Sequence, residues 1–175
     1  MAGERVKLRI RDSIPLEETI ASRKRGDILH RALSLVRDLN DRERAGTLVR
    51  KAIILEGERP EAWNAEELRR ELEAVLEAEW AKKVFPNQGE SLTEQAILLP
   101  EEPGVTVRPD RMVCLEGKVM VVDYKSKRPS SEKLLQRYKE QVRRYLEAAK
   151  EALGAEEVEG YLLFIADNVL EKVEE

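Results

Sequence analysis

The stretch "RPDRMVCLEGKVMVVDYKSK", residues 108–127, decides the fold. Val113, Val119, Met120, Val121 and Val122 have the apolar density of buried strands, and Glu116-Gly117 supplies a hairpin turn between them. With the turn centred there, Leu115 faces Lys118, Val113 faces Met120, and Asp110 faces Asp123. Opposed side chains lie about 4.5–5.5 Å apart at Cβ on one face of the sheet, so two like charges there oppose pairing unless a proton or cation lies between them. Lys125, two residues beyond Asp123, emerges on that same face. Two carboxylates and an amine within one cation's reach suit a hard divalent metal, which prefers oxygen ligands. Such a metal activates water and neutralises phosphate charge, while the lysine orients a nucleophile or steadies developing charge. The competing reading makes both acids solvated strand-end residues, and a register slip of one residue would send them to opposite faces.

Composition narrows the classes. At 175 residues the chain is long enough for one domain with a sizeable core. Its hydrophobic share of 42% and charged share of 38% exclude a disordered polar tract. No apolar run approaches the roughly 20 residues a bilayer span needs. The start, "MAGERVKLRIRDS", is charged and has no apolar signal region, so a cytoplasmic location is expected. Cys114 stands alone, which excludes an internal disulfide, a multi-cysteine zinc site and a four-cysteine iron–sulfur cluster. The net charge of -4 argues against a generally basic nucleic-acid binder. Between Asp123 and Arg144, however, eight basic residues stand against three acidic ones. A local basic stripe on an acidic body suits contact with a polyanion on one face, or else is an ordinary solvated helix face.

Outward from the hairpin, the periodicity predicts helices before it and a helix and strand after it. Residues 1–22 read as an N-terminal arm. Helical spacing begins near Asp27 with Ile28, Leu29, Ala32, Leu33, Leu35 and Val36. Further helices are expected over 42–55 and 60–84, a helical elaboration of a domain spanning 23–175. "TEQAILLP" and "GVTVRPDRMV" read as the first two strands and "KVMVVDYK" as the third. A helix through Leu134, Leu135, Tyr138, Val142, Tyr145 and Leu146 ends at Gly154, "VEGYLLFIA" is a last strand, and a polar tail closes the chain. No phosphate loop of the GxxxxGK[ST] type is present, so the chain by itself is not a P-loop ATPase. The order gives an α/β sandwich on a small mixed sheet flanked by helices.

The motifs resemble a known pattern. Pro109-Asp110 followed by Asp123-Tyr124-Lys125 resembles the signature of the PD-(D/E)XK nuclease superfamily. "RKRGDILHRAL" (23–33) is similar to the RG-x-x-x-H helix of its RecB-like branch, "QVRRY" (141–145) to the Q-x-x-x-Y element, and "VEGYLLFIADNVLEKVEE" to the end of nuclease domains that close UvrD/RecB-type helicase chains. The resemblance covers about residues 23–170. Two departures stand out: "VRPD" replaces a G-x-x-D run, and the cysteines of the iron–sulfur members are missing, so no such cluster is expected.

The resemblance implies a restriction-endonuclease-like αβββαβ core and hydrolysis of DNA phosphodiesters with Mg²⁺ or Mn²⁺. It makes His30, Asp110, Asp123 and the Tyr124 backbone carbonyl metal ligands, with Asp110, Asp123 and Lys125 catalytic. Gln141 and Tyr145 would support the site or contact DNA, and Glu94 occupies the place of an additional acid in the first strand. Arg137, Arg143 and Arg144, with the arm at Arg23–Arg25, would grip flanking phosphates. The implied role is a DNA nuclease, specifically an exonuclease acting with a helicase domain or subunit in end processing and recombinational repair. A catalytically inactive DNA-binding or assembly module on the same fold is the alternative.

Overall fold

A computed structural model describes residues 20–99 and 102–174 of the chain. The expected arm thus lies outside the described residues except for 20–22, which form the first turn of helix α1 (Ile20–Leu35). That helix begins seven residues before the apolar stripe does. Its first turns are held by ion pairs instead: Lys24 meets Glu58, and Arg25 meets Glu67 and Glu71. Farther along, Ile28, Leu29, Ala32 and Leu33 enter the core. Gly26 makes a close approach possible, since a Cβ there would sit 2.4 Å from Ser126 Oγ. The glycine of "RGDILH" therefore lets α1 pass against the chain leaving the third expected strand.

After a 3₁₀ turn over Leu39–Arg44 comes α2 (Ala45–Leu55). The single helix expected over 60–84 divides into a 3₁₀ turn at Pro60–Ala62, α3 (Ala65–Glu77) and α4 (Ala81–Val84). Asn64 starts α3 by accepting the Glu67 N–H at 3.2 Å, as N-cap residues do. The break falls at Ala78, whose extended backbone redirects the chain so that Ala81, Val84 and Phe85 are buried.

The strands are β1 (Glu90–Thr93), β2 (Ile97–Leu98), β3 (Thr106–Val107), β4 (Arg111–Leu115) and β5 (Lys118–Lys125), then helix α5 (Glu132–Leu153), β6 (Glu157–Phe164) and β7 (Val169–Val173). The main sheet has the order β1-β4-β5-β6-β7 and is antiparallel except for the β5–β6 pair, which α5 connects. The hairpin register is the expected one, from Leu115↔Lys118 to Arg111↔Val122. Three strand assignments change. "AIL" does not supply the sheet's first strand: Ile97 and Leu98 pair with Val107 and Thr106 in a separate two-stranded sheet, and "ESLT" forms the edge strand β1. "GVTVRPDRMV" divides at Arg108–Asp110 into β3 and β4. The expected polar tail contains β7, an edge strand that carries the charges Glu171 and Lys172 and has no long apolar run.

The sheet separates two apolar layers. Val113, Met120, Val122, Tyr124, Tyr161 and Leu163 face α1, α2 and α3, whereas Met112, Val119, Val121, Leu162 and Phe164 face α5. Each such side chain, fully buried, contributes about 1.5–3 kcal/mol. Gly160 on β6 lets α5 settle close, because a Cβ there would lie 2.5 Å from Val142 Cγ1. The α1, β1, β4, β5, α5, β6 sequence is the αβββαβ core, with α2–α4, the β2–β3 pair and β7 added. Among the described residues no helix is long and apolar enough to cross a membrane.

Candidate active site

The site forms where β4 and β5 diverge, between α1 on one face of the sheet and α5 on the other. Continuing the observed register by one pair sets Asp110 opposite Asp123. Asp110 lies just before β4, and its oxygens reach in two directions. Oδ2 accepts the Tyr124 N–H at 2.6 Å, and Oδ1 lies 3.0 Å from His30 Nε2. The strand thus holds Asp110 by its backbone, and the helix holds it by its histidine.

Asp123 is 3% exposed. Lys125 Nζ lies 2.8 Å from its Oδ2, yet that oxygen receives no well-directed hydrogen bond. The contact is an ion pair by distance. Burial pushes the Asp123 carboxyl up to about 6; Lys125 opposes the rise, Asp110 adds to it, and His30 opposes it. Lys125 loses hydration by burial, but the charge of Asp123 beside it wins and raises its pKa. For His30, burial is likewise outweighed by the bond to Asp110 and by the charges of Asp110, Asp123 and Glu94, and its pKa also rises.

Helix α5 fixes the lysine from the other side. Lys125 Nζ donates to Gln141 Oε1 at 3.0 Å, and Gln141 Nε2 donates to the Tyr145 hydroxyl at 2.6 Å. The Tyr138 ring lies 4.4 Å from the same ammonium. Burial is the first cause of the raised Tyr145 pKa, which keeps that hydroxyl protonated. Spacing of four residues put Gln141 and Tyr145 on one helix face, and here they form a relay toward the lysine.

Other expected residues are placed differently. Glu94 is not in a strand: it follows β1 with φ 52, donates its N–H to the Asp110 carbonyl at 3.1 Å, and gives its carboxylate to Arg31 at 2.9 Å. Arg31 also holds Glu56 at 2.8 Å. Arg143 Nε donates to the Glu174 carbonyl at 3.0 Å, and Arg144 pairs with Glu102 at 2.8 Å. Arg137 is exposed one turn before Gln141 on α5. Lys24 and Arg25 are committed to glutamates on the helical layer and are not part of a free arm.

Arg111 carries no assignment from the sequence. It is 0% exposed, donates from Nε to the Tyr124 hydroxyl at 2.8 Å, and donates to the Leu33 and Val36 carbonyls at the end of α1. Its guanidinium also lies over the Phe85 ring at 4.6 Å. The Tyr124 ring in turn meets the His30 ring edge-on, with centroids 5.3 Å apart. Arg111 therefore ties the helix that carries His30 to the strand that carries Asp123. Its one sequence signal is a charge inside an apolar strand.

The donor set fits a hard divalent cation: two carboxylates, an imidazole, and a strand carbonyl at Tyr124 between the two site side chains of β5. The enclosed Asp123 oxygen without a directed bond is the feature a cation would satisfy. As the side chains stand, His30 and Lys125 occupy the acids, and among the described residues no three His, Cys, Asp or Glu side chains form a ready-made cage.

No curated protein matches the chain. A family model for the PD-(D/E)XK nuclease superfamily matches residues 4–174, which include every site residue named above. Members of that superfamily generally use divalent metals such as Mg²⁺. The paired acids, the lysine two residues on and the surrounding mixed sheet accord with that match, and the chain belongs to the PD-(D/E)XK nuclease superfamily.

Proposed function

We propose that the chain hydrolyses DNA phosphodiester bonds with Mg²⁺ or Mn²⁺ held by Asp110, Asp123, His30 and the Tyr124 carbonyl. The observation that carries this reading is the buried Asp123 carboxylate, set opposite Asp110 and beside Lys125. When bound, the metal would supply Lewis acidity at the phosphate and an activated water. Asp110 and Asp123 provide the negative charge that retains the cation. His30, steadied by Asp110 and the edge of Tyr124, supplies a nitrogen ligand from a separate element. Lys125, held by Asp123 and Gln141, places a fixed positive charge where the attacking water or the developing phosphorane charge would lie. The exposed Arg137, one turn before Gln141, is placed to meet a flanking phosphate.

The finer role is that of an exonuclease of the RecB-like branch, acting with a helicase domain or subunit in end processing and recombinational repair. It rests on the RG-x-x-x-H and Q-x-x-x-Y motifs, whose His30, Gln141 and Tyr145 converge on the same strand end. The alternative of an inactive DNA-binding or assembly module draws on the closed His30–Asp110 and Lys125–Asp123 pairs. End-labelled single- and double-stranded DNA incubated with Mg²⁺, Mn²⁺ or EDTA tests the hydrolytic reading. Cleavage should require the metal and fall by at least about 10²-fold in Asp123→Ala and Lys125→Ala. Metal-dependent cleavage that both variants retain in full would defeat it.

A further inference from the structure

A second polar feature lies beside the site. A cavity of about 400 Å³ opens between the edge strand β1 and the corner where α1 hands over to α2. Arg37, Arg44 and Lys51 line it, with Asp41 as the lining carboxylate, so its charge balance is about +2. Asp41 is already occupied, accepting the Arg37 N–H at 2.7 Å and pairing with Arg44 at 3.2 Å. The Arg37 and Lys51 side chains are exposed and make no ion pair among the described residues. Ser34 and Thr93 add hydroxyls to the wall.

The cavity lies near the site and shares none of its candidate metal ligands. Ser34 is one turn beyond His30 on α1, about 6 Å along the helix axis. Thr93 pairs across β1–β4 with Arg111, the neighbour of Asp110. A volume of about 400 Å³ lies within the range of sites that enclose a small ligand. By volume it takes about one nucleotide unit and not a base pair. Positive side chains at the mouth and hydroxyls on the wall are the groups that bind phosphate and sugar. We infer that this cavity is a subsite for one nucleotide of a single strand flanking the bond cut at Asp110 and Asp123, with Arg37 and Lys51 on its phosphates. This inference rests on the nuclease reading for the position of the cut, and it specifies single-stranded substrate.

The test is fluorescence anisotropy of a labelled single-stranded 12-mer, and of its duplex, in EDTA. Wild type is compared with Arg37→Glu/Lys51→Glu and with the milder Arg37→Gln/Lys51→Gln. Both side chains are exposed, and equal denaturation midpoints would show that the fold is kept. Single-strand binding should weaken at least about tenfold in the charge-reversed protein and less in the glutamine one. The slope of log affinity against log salt should shrink by about 1.4, or about 0.7 for each of two phosphate contacts. Unchanged affinity and slope in both variants overturn the inference, as does a wild type that prefers the duplex or binds neither. A wild type that binds the strand but never cuts it with Mg²⁺ leaves the subsite standing and defeats the hydrolytic reading.

Discussion

Gln141 holds Lys125: the amide oxygen accepts from the ammonium at 3.0 Å, while the amide nitrogen donates to the Tyr145 hydroxyl at 2.6 Å. The lysine would otherwise be a flexible four-carbon chain beside a single carboxylate. Gln141 touches no reacting atom in the proposed mechanism and acts through Lys125. Gln141→Ala should therefore lower kcat by about 10–100-fold, the usual effect of removing a partner that orients a catalytic group. KM should change little, and Gln141→Glu should restore part of the rate because it keeps an acceptor for the ammonium. Steady-state kinetics on the two variants checks this, and an unchanged kcat in Gln141→Ala would remove the positioning role.

Much of this geometry was legible beforehand for one physical reason: a hairpin's register is fixed by its turn, and Glu116-Gly117 leaves little choice of turn. That is why the opposition of Asp110 and Asp123 could be read from the chain and agrees with the observed pairs on β4 and β5. Helical spacing likewise brought Gln141 and Tyr145 together. Edge elements were harder. β1 and β7 are short and lack a sustained apolar or alternating run, so their pairing is imposed by the sheet rather than by their own periodicity. "AILL" has a strong strand pattern but spends it on a two-stranded side sheet. Ion pairs escaped for a different reason, because no spacing rule links Arg31 to Glu94 or Arg25 to Glu71 across the fold.

Arg111 is the clearest residue that sequence did not assign. With no carboxylate partner among its bonds, it satisfies the Leu33 and Val36 carbonyls and the Tyr124 hydroxyl. Arg111→Met keeps much of the volume but takes the arginine donor from the Val36 carbonyl and the Tyr124 hydroxyl, while the Leu33 carbonyl keeps the Val36 N–H. Each such loss costs about 1–3 kcal/mol, so a total destabilisation on the order of 3 kcal/mol is expected. Urea unfolding measures it. A variant as stable as wild type would mean that water or a backbone shift satisfies those groups.

Glu159 gives a pH signature separate from the site. Burial works against its ionisation, yet hydrogen bonds from Lys118, Lys172, Lys83 and Tyr161 hold its carboxyl down to about 2. A carboxyl lowered on folding stabilises the native state above its unfolded pKa of about 4.3, and that contribution is lost as pH falls through the folded value. Wild type should thus exceed Glu159→Gln in stability by a constant margin at neutral pH. The margin should shrink from about pH 4.5 downward and approach its minimum near pH 2. Thermal melts of both proteins across that range decide it; a margin that does not vary with pH would show that packing, not charge, explains the difference.

Gly160 connects the core to the chemistry. A Cβ at this position would come within 2.5 Å of Val142 Cγ1 and 3.0 Å of Leu146 Cδ1, both on the buried side of α5. Val142 is β-branched and stiff at χ1, so it cannot rotate freely out of the way. Gly160→Val should overpack this contact and cost about 1–3 kcal/mol. Since Gln141 and Tyr145 ride on the same helix, any outward movement of α5 also draws the amide away from Lys125. Activity should then fall further than the loss of folded protein explains. Val142→Ala makes room for the new side chain, and in the double variant it should recover both stability and kcat in part. Recovery of stability without any recovery of kcat would show that the loss of activity does not come from the packing of α5, and the link between core packing and site geometry would be withdrawn.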